Sequence, residues 1–265
     1  MNNQPIGIFD SGVGGLSILQ EIKQLLPNET FIFLADQAYV PYGKKSQAEL
    51  VERVDKIMQF FMQKDVKAVV MACNTATVYT IDEIRARYSI PIIGTVPVVK
   101  TLSLISRTRK AAVFSTPATA ASPYLDELIK KFAPDMEIIK VGGSNLEELV
   151  EEGDLHSPNI FSILKRELPP LVKSGVDAIA LGCTHYPFLR EQVQEIVGSG
   201  VMIVDSGGAV ARRLVQVLTN NNISAVSKNS ESGDRYFTTG DQSKFFEVSQ
   251  SLLKTQLPVP FSVNL

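Results

Sequence analysis

Short apolar runs alternate with longer amphipathic stretches along this 265-residue chain, and this alternation constrains the fold more than any other feature. The run at 68–72 is apolar throughout, as is typical of a strand that is buried on both faces of a sheet. The stretch at 16–26 instead places Leu16, Leu19, Ile22 and Leu26 on one helical face. Alternation of this kind predicts parallel sheets flanked by helices.

The predicted strands lie at 6–9, 31–35, 68–72, 92–94, 111–114, 137–141, 178–181, 202–204 and 236–238. The predicted helices lie at 16–26, 46–64, 77–88, 122–132, 159–174, 188–197 and 209–219. Ligands of such sheets bind beyond the carboxyl ends of the strands. The residues that follow each strand are therefore the candidate functional residues.

Composition and charge exclude several classes of protein. Apolar residues make up 45% of the chain and charged residues 20%, which is typical of a globular protein. The net charge of −2 leaves no basic surplus to neutralise a phosphate backbone, so we expect no nucleic-acid partner. No apolar run approaches the roughly 18–20 residues of a membrane span, and we expect no membrane partner. The first residues do not form a signal peptide, and the chain has two cysteines, so we expect a reducing, cytoplasmic location.

Three pairs of similar segments occur in the same order along the chain. The strand before Cys73 resembles the strand before Cys183, the run at 8–11 resembles 113–116, and 92–94 resembles 203–205. This order predicts two similar doubly wound parallel-sheet α/β domains, related by pseudo-symmetry, with the active site in the cleft between them and 98–109 as the crossing region. A single large sheet is the alternative.

The two cysteines, Cys73 and Cys183, occupy the same place in this repeat, after an apolar strand and before a helix start. The N–H groups and dipole of a helix N-terminus stabilise a thiolate. Thiols on opposite sides of a cleft suit inversion of a stereocentre, in which one base removes the α-proton and an acid returns a proton to the opposite face. A thiol, with an ordinary pKa of about 8.5, can take either role. The alternative is that both cysteines are small buried hydrophobic residues.

His185 lies two residues after Cys183, and in an extended segment such residues point to the same side. His185 could therefore relay a proton for Cys183 or bind a substrate; the alternative is a loop histidine without such a role. A zinc ion held by Cys73, Cys183 and His185 is a further alternative. Because the chain lacks the close-spaced cysteine pair of structural zinc sites, we expect no metal.

Asp10 ends the first strand, directly before the glycine-rich run at 11–15. Such a run at a helix start, with Asp36 after the next strand, is typical of dinucleotide sites. However, Ser17 occupies the third glycine position, and a carboxylate at Asp10 suits an ammonium group or a proton relay better than a pyrophosphate. Asp10 could also simply cap the helix. Pyridoxal phosphate needs a Schiff-base lysine, and no lysine stands at these strand ends, so we expect no cofactor.

Neutral hydrogen-bond donors follow other strands, namely Asn74, Thr75, Thr184 and the turn at 41–43. Hydroxyls and main-chain N–H groups at helix starts can hold carboxylates without a cation. Taken singly, each of these is an ordinary turn or capping residue.

Together these motifs resemble those of glutamate racemases, in order and spacing, over essentially the whole chain. The motifs are Phe9-Asp10-Ser11-Gly12-Val13-Gly14-Gly15-Leu16-Ser17, Pro41-Tyr42-Gly43, Ala72-Cys73-Asn74-Thr75-Ala76 and Leu181-Gly182-Cys183-Thr184-His185-Tyr186-Pro187. The Gly-Cys-Thr-His form favours glutamate racemases over the related aspartate racemases, which resemble Gly-Cys-Thr-Glu there.

The resemblance implies a cofactor-independent, two-base enzyme that interconverts L- and D-glutamate and supplies D-glutamate for peptidoglycan, hence for cell-wall biogenesis and cell shape. It implies that Cys73 deprotonates the D-enantiomer with help from Asp10, and that Cys183 deprotonates the L-enantiomer with help from His185. The residues implied to bind substrate are Asp10, Ser11, Tyr42, Gly43, Asn74, Thr75, Thr184 and His185. It further implies a homodimer, a first domain of 1–97 plus 208–265, and a second domain of 98–207.

The sequence departs from the family at 116–119. The family usually has Thr-x-Gly-Thr there, but this chain has Ala118, which adopts left-handed backbone angles less readily than glycine. The loop can therefore sit differently, and substrate contacts from Thr116 and Thr119 are not carried over. Some members also have an N-terminal extension linked to activation by a cell-wall precursor. Nine residues precede Asp10 here, so we expect no such activation.

Other functions remain open at this point. An aspartate racemase or another cysteine-dependent enzyme of the same superfamily is the nearest alternative. A cysteine hydrolase or decarboxylase needs one activated thiol, so loss of Cys73 and loss of Cys183 would have unequal effects. A two-lobed amino-acid-binding protein would tolerate loss of both cysteines, but it normally carries an export signal.

Overall fold

The computed structural model describes residues 2–226 and 233–265, which form two parallel sheets flanked by helices. The strands of these ranges are β1 Ile6–Asp10, β2 Phe31–Ala35, β3 Ala68–Met71, β4 Ile92–Gly94, β5 Lys110–Ser115, β6 Glu137–Gly142, β7 Ala178–Leu181, β8 Met202–Asp205, β9 Arg235–Thr238 and β10 Phe261–Ser262. The helices are α1 Leu16–Leu25, α2 Gln47–Gln63, α3 Asn74–Arg87, α4 Val99–Ile105, α5 Pro117–Ala121, α6 Pro123–Phe132, α7 Leu146–Glu151, α8 Pro158–Lys173, α9 Arg190–Val197, α10 Gly207–Asn220 and α11 Gln242–Leu253.

The two sheets share one strand order. The first sheet runs β10-β9-β2-β1-β3-β4 and the second runs β6-β5-β7-β8, with parallel pairing throughout the described strands. When the strands of each half are numbered in chain order, both sheets have the order second, first, third, fourth. Strands β9 and β10 extend the first sheet beside β2. This order confirms the prediction of two similar α/β halves, and the single-sheet alternative is wrong.

Burial on both faces explains the apolar strands. Every residue of β1, β2, β3 and β7 is buried, because helices cover both sides of each sheet. On α1 the buried residues Leu16, Leu19 and Ile22 form the predicted stripe, and the helix packs against α10. The first turn of α2 is fixed by a capping box between Ser46 and Glu49.

Several elements differ from the sequence-based expectation. The predicted strands are present with ends within one or two residues, but β10 was not predicted, because it has only two residues and both are exposed. Helices α4, α5 and α7 are too short for a helical period to emerge, and in α11 the buried Ser249 interrupts the apolar stripe. Helix α3 begins at Asn74, earlier than predicted, because the Cys73 side chain caps it.

The first sheet takes its strands from both ends of the chain, and the second from the middle. Helix α4 lies in the predicted crossing region between β4 and β5. Met1 and residues 227–232, which belong to the expected first domain, lie outside the described residues. Among the helices of the described ranges, none is long and apolar enough to cross a membrane.

Candidate active site

One small cavity lies where strand ends of the two sheets meet. Its lining comes from the segments after β1, β2 and β3 on one side and after β5, β6 and β7 on the other. The sequence-predicted site residues that line it are Ser11, Tyr42, Gly43, Cys73, Asn74, Thr75, Cys183, Thr184 and His185. Asp10, the remaining one, is fully buried and lies behind Thr184.

Cys73 occupies the N-cap of α3. Its Sγ accepts the N–H of Ala76 at 3.4 Å and lies 3.7 Å from the Ser11 hydroxyl, to which it can donate. Burial raises the pKa of the Cys73 thiol far above its usual 9.0 and the charge of Asp10 raises it further, whereas the Ala76 N–H and Ser11 oppose this. The expected helix N–H contact is therefore present, but burial outweighs its effect on the thiolate.

Cys183 lies beside an imidazole that a buried carboxylate holds. The Cys183 Sγ is 3.6 Å from Nδ1 of His185, and Nε2 of His185 is 2.6 Å from Oε1 of Glu151. Burial opposes a charge on His185, but the contacts with Cys183 and Glu151 outweigh it and raise the pKa of His185 well above 6.5. Burial also raises the pKa of the Cys183 thiol, although His185 opposes that rise. The contacts with Cys183 and Glu151 therefore favour the protonated form of His185.

The backbone at His185 differs from the expected extended segment. His185 has right-handed helical angles and precedes a 3₁₀ turn, Tyr186–Leu189. The contact between His185 and Cys183 thus forms within a tight turn. The sequence predicted that the two side chains are close, but it assumed an extended segment.

The glycine-rich run holds Glu151. The N–H of Val13 donates to Oε1 of Glu151 at 2.6 Å, and Nε2 of Gln37 donates to Oε2 at 2.6 Å. A Cβ at Gly12 would lie 1.8 Å from that carboxylate, and one at Gly14 would lie 2.4 Å from His185 Nδ1. These glycines allow Glu151 and His185 to approach the backbone. The N–H of Val13, which a dinucleotide pyrophosphate would need, already donates to Glu151.

Asp10 connects the two halves. Its Oδ1 accepts the Thr184 hydroxyl at 3.1 Å, and its Oδ2 accepts the N–H of Gly12 at 3.2 Å. Burial raises the pKa of Asp10, partly offset by the charge of His185. A carboxyl group with a raised pKa next to Cys73 is a suitable partner for proton exchange with that thiol.

Three threonine hydroxyls form a cluster at the cavity. Oγ1 of Thr75 lies 3.1 Å from that of Thr116 and 3.2 Å from that of Thr119. Thr116 lines the cavity and caps α5, in which Ala118 lies without a left-handed angle. Alanine adopts this right-handed helical conformation without strain, so the segment does not need a glycine at 118.

Tyr42 is held by a buried ion pair. Its hydroxyl donates to Oδ2 of Asp36 at 2.6 Å, and Arg53 binds Asp36 through Nε at 2.8 Å and through Nη2. Burial and the charge of Asp36 raise the pKa of Tyr42 well above 10.0. The hydroxyl group of Tyr42 therefore stays protonated and donates its hydrogen bond to Asp36.

Sequence reasoning missed Glu147 and Glu151 as site residues, and it named Thr116 without assigning it to the site. Glu147 lines the cavity and Glu151 fixes His185, and both lie on α7, a short helix after β6 that was not predicted. Thr116 follows β5, so the strand-end rule could have found it. Within the described ranges, no group of three His, Cys, Asp or Glu side chains is arranged to hold a metal ion.

Comparisons with known proteins agree with this geometry. Residues 6–214 match the family described as Asp/Glu/Hydantoin racemase. A glutamate racemase of Herpetosiphon aurantiacus is 38% identical over 252 residues, which cover 95% of this chain and 99% of that protein.

Solved structures show the same fold. The glutamate racemase isoform RacE1 of Bacillus anthracis superposes with a TM-score of 0.91 at 30% identity, covering 100% of this chain and 99% of that one. Escherichia coli glutamate racemase, in complex with L-glutamate and the activator UDP-MurNAc-ala, gives a TM-score of 0.84 at 32% identity, covering 94% and 95%. The chain therefore belongs to the Asp/Glu/hydantoin racemase family and is an amino-acid racemase.

Proposed function

We propose that this protein interconverts L-glutamate and D-glutamate without a cofactor, with Cys73 and Cys183 as its two bases. The observation that carries the proposal is the placement of the two thiols. They follow corresponding strands of two similarly ordered sheets and line one cavity, with a carboxyl group beside one thiol and an imidazolium beside the other. One relative is named a glutamate racemase and one solved structure contains L-glutamate, and these names support glutamate as the substrate.

Cys73 acts on D-glutamate in this proposal. Asp10, whose pKa burial raises, accepts the thiol proton of Cys73, and the resulting thiolate removes the α-proton. The substrate ammonium group offsets the charge of Asp10, which otherwise raises the pKa of Cys73. Cys183, as a thiol, then delivers its proton to the opposite face of the carbanion, which yields L-glutamate.

Cys183 acts on L-glutamate in the reverse direction. The His185 imidazolium, paired with Glu151, stabilises a thiolate at Cys183 electrostatically, because a positive charge 3.6 Å away favours the anion. Cys73 then returns a proton to the other face. Each turnover exchanges the protonation states of the two thiols, and solvent resets them before the next one.

Neutral donors hold the carboxylates of the substrate. We assign this role to Ser11, Asn74, Thr75 and Thr184 and to the turn at Tyr42 and Gly43, with His185 also contacting substrate. Asp10 contributes to substrate binding from behind Thr184, whose hydroxyl it accepts. Hydroxyl, amide and main-chain N–H groups supply these hydrogen bonds. We add Thr116, because its hydroxyl belongs to the same cluster as that of Thr75.

The remaining proposals concern assembly and role. The division of the strands between the two sheets supports domains of 1–97 plus 208–265 and 98–207. We further propose that the chain forms a homodimer in the cytoplasm and supplies D-glutamate for peptidoglycan synthesis. Sedimentation analysis of the purified chain tests the dimer, and rescue of a D-glutamate-requiring bacterium tests the cellular role.

The deciding experiment is incorporation of solvent deuterium. L-Glutamate is incubated with the protein in D₂O, free of metal and pyridoxal phosphate, and the products are analysed by NMR and chiral separation. We expect D-glutamate that carries deuterium at the α-carbon. Absence of both exchange and inversion with folded protein would contradict the two-thiol mechanism. Inversion of aspartate instead of glutamate would show that the protein is an aspartate racemase.

A further inference from the structure

Glu147 is a carboxyl group of the cavity that the two-base mechanism leaves without a role. It lies on α7, one helical turn before Glu151, and lines the same cavity as Cys183 and His185. Its neighbour Glu148 points elsewhere and forms an ion pair with Lys44 at 2.7 Å. Two consecutive glutamates of one helix thus have different environments, one at the surface and one in the cavity.

One oxygen of Glu147 is buried without a partner. Within residues 2–226 and 233–265, no hydrogen-bond donor or acceptor reaches Oε2 of Glu147, nor Oδ1 of Asn74 in the same cavity. Buried polar atoms in folded proteins almost always have a partner, so two unpartnered ones in one cavity indicate that a polar ligand completes them.

Burial, rather than the surrounding charges, favours the neutral form of Glu147. The charged and titratable groups that act on it are His185, Glu148 and Lys44, and it acts in turn on Cys183 and Tyr186. The charge of His185 is already paired with Glu151, and that of Lys44 with Glu148. Burial therefore dominates and raises the pKa of Glu147, although its own backbone N–H, His185 and Lys44 oppose the rise.

We propose that Glu147, as a neutral carboxylic acid, donates a hydrogen bond from its free oxygen to a carboxylate of the substrate. This inference rests on the proposed function, since it needs a dicarboxylate in the cavity. A neutral acid is a strong donor to a carboxylate, whereas an ionised Glu147 would repel the same group. Glu147 is thus a substrate-contacting residue that makes substrate affinity depend on pH.

This contact predicts that the KM for glutamate rises with pH. Below its pKa, Glu147 is protonated and binds the substrate carboxylate. Above it, Glu147 loses the proton, so the KM for glutamate rises by up to about tenfold per pH unit. The kcat follows the thiols, Asp10 and the His185–Glu151 pair instead.

The test compares Glu147→Gln, Glu147→Leu and the matched control Glu148→Gln across about pH 6 to 9 by circular dichroism of glutamate. Glutamine keeps a donor but does not titrate, so we expect a KM that no longer rises with pH. Leucine removes the donor, and we expect a KM about 10–100-fold higher than that of the wild type at low pH. Glu148→Gln should keep the low KM of the wild type at low pH, but the rise in KM should begin at a lower pH, because Glu148 raises the pKa of Glu147 and pairs with Lys44, which lowers it.

Two outcomes separate this inference from the proposed function. If the wild type racemises glutamate while Glu147→Leu keeps the wild-type KM and its pH profile, the role of Glu147 is wrong and the function stands. If the wild type does not turn over glutamate, the proposed function is wrong and the inference falls with it. A far-ultraviolet circular dichroism spectrum of Glu147→Leu that matches the wild type excludes misfolding as the cause of its defect.

Discussion

The Nε2 atom of His185 lies 2.6 Å from Oε1 of Glu151, although the two residues come from opposite sides of β7 in the chain. Both are buried, and Val13 and Gln37 satisfy the carboxylate further. A buried ion pair of this kind is costly unless its hydrogen bonds are complete, and here Glu151 has three. The pair fixes both the orientation and the charge of the imidazole beside Cys183.

Glu151→Gln should lower the pKa of His185 and move the alkaline limb of the pH–rate profile downward. The active form in our mechanism is the imidazolium, which is present below the raised pKa and lost as the pH rises through it. Loss of a charge-assisted hydrogen bond corresponds to a shift of about 1–2 pH units. NMR titration measures the shift directly, because the chain has only two histidines whose signals must be assigned. An unchanged titration of His185 would contradict this role of Glu151.

Replacement of either cysteine by alanine should abolish racemisation but leave exchange of one enantiomer. Removal of a general acid or base typically costs about 10²–10⁴-fold. In Cys73→Ala the remaining Cys183 should exchange the α-proton of L-glutamate with solvent, and in Cys183→Ala the remaining Cys73 should exchange that of D-glutamate. NMR in D₂O with each pure enantiomer measures this. A variant that retains wild-type inversion would rule out its cysteine as a base.

Gly14→Ala should reduce kcat strongly without a comparable change in folding. The new Cβ would lie 2.4 Å from Nδ1 of His185 and 2.6 Å from Oγ1 of Thr184, so both side chains must move. A misplacement of about 1 Å can cost on the order of 100-fold in rate. Gly200→Ala is the control, since nothing lies within 4 Å of its Cβ. Equal kcat values for the two variants would contradict the close packing of His185 on this turn.

Arg53→Met should destabilise the fold and disturb Tyr42. Arg53 is buried on α2 and pairs with Asp36, so its loss leaves a buried carboxylate without a counter-charge. Breaking a buried pair in this way costs about 3–5 kcal/mol. Lys56→Met on the same helix removes an exposed pair with Glu52 and should cost at most about 1 kcal/mol. Urea denaturation compares the two, and similar midpoints would show that the Asp36 pair is not important for stability.

Much of the site follows from local patterns. Cys73, Cys183, Asp10 and Thr184 were predicted because they follow apolar strands, and the carboxyl ends of parallel strands meet at one edge. The repeated strand order, with one cysteine after the third strand of each half, was visible in the sequence because segments of similar local structure have similar patterns. The same rule could have included Thr116, which follows β5.

Other features required the tertiary structure. Glu147 and Glu151 lie on α7, whose six residues are too few to show a helical period, and their partners are distant in sequence. Burial between the halves raises the pKa values of the two thiols. The sequence showed only the helix N-terminus at Cys73, which by itself predicts a lowered thiol pKa.

The sequence by itself determined where the candidate site residues stand along the chain, because strand and helix periods are local and place both cysteines at strand ends. The tertiary structure decided which groups are charged and what orients them. Burial, the Glu151–His185 contact and the free oxygen of Glu147 depend on residues that only folding brings together, and no local pattern encodes such distances.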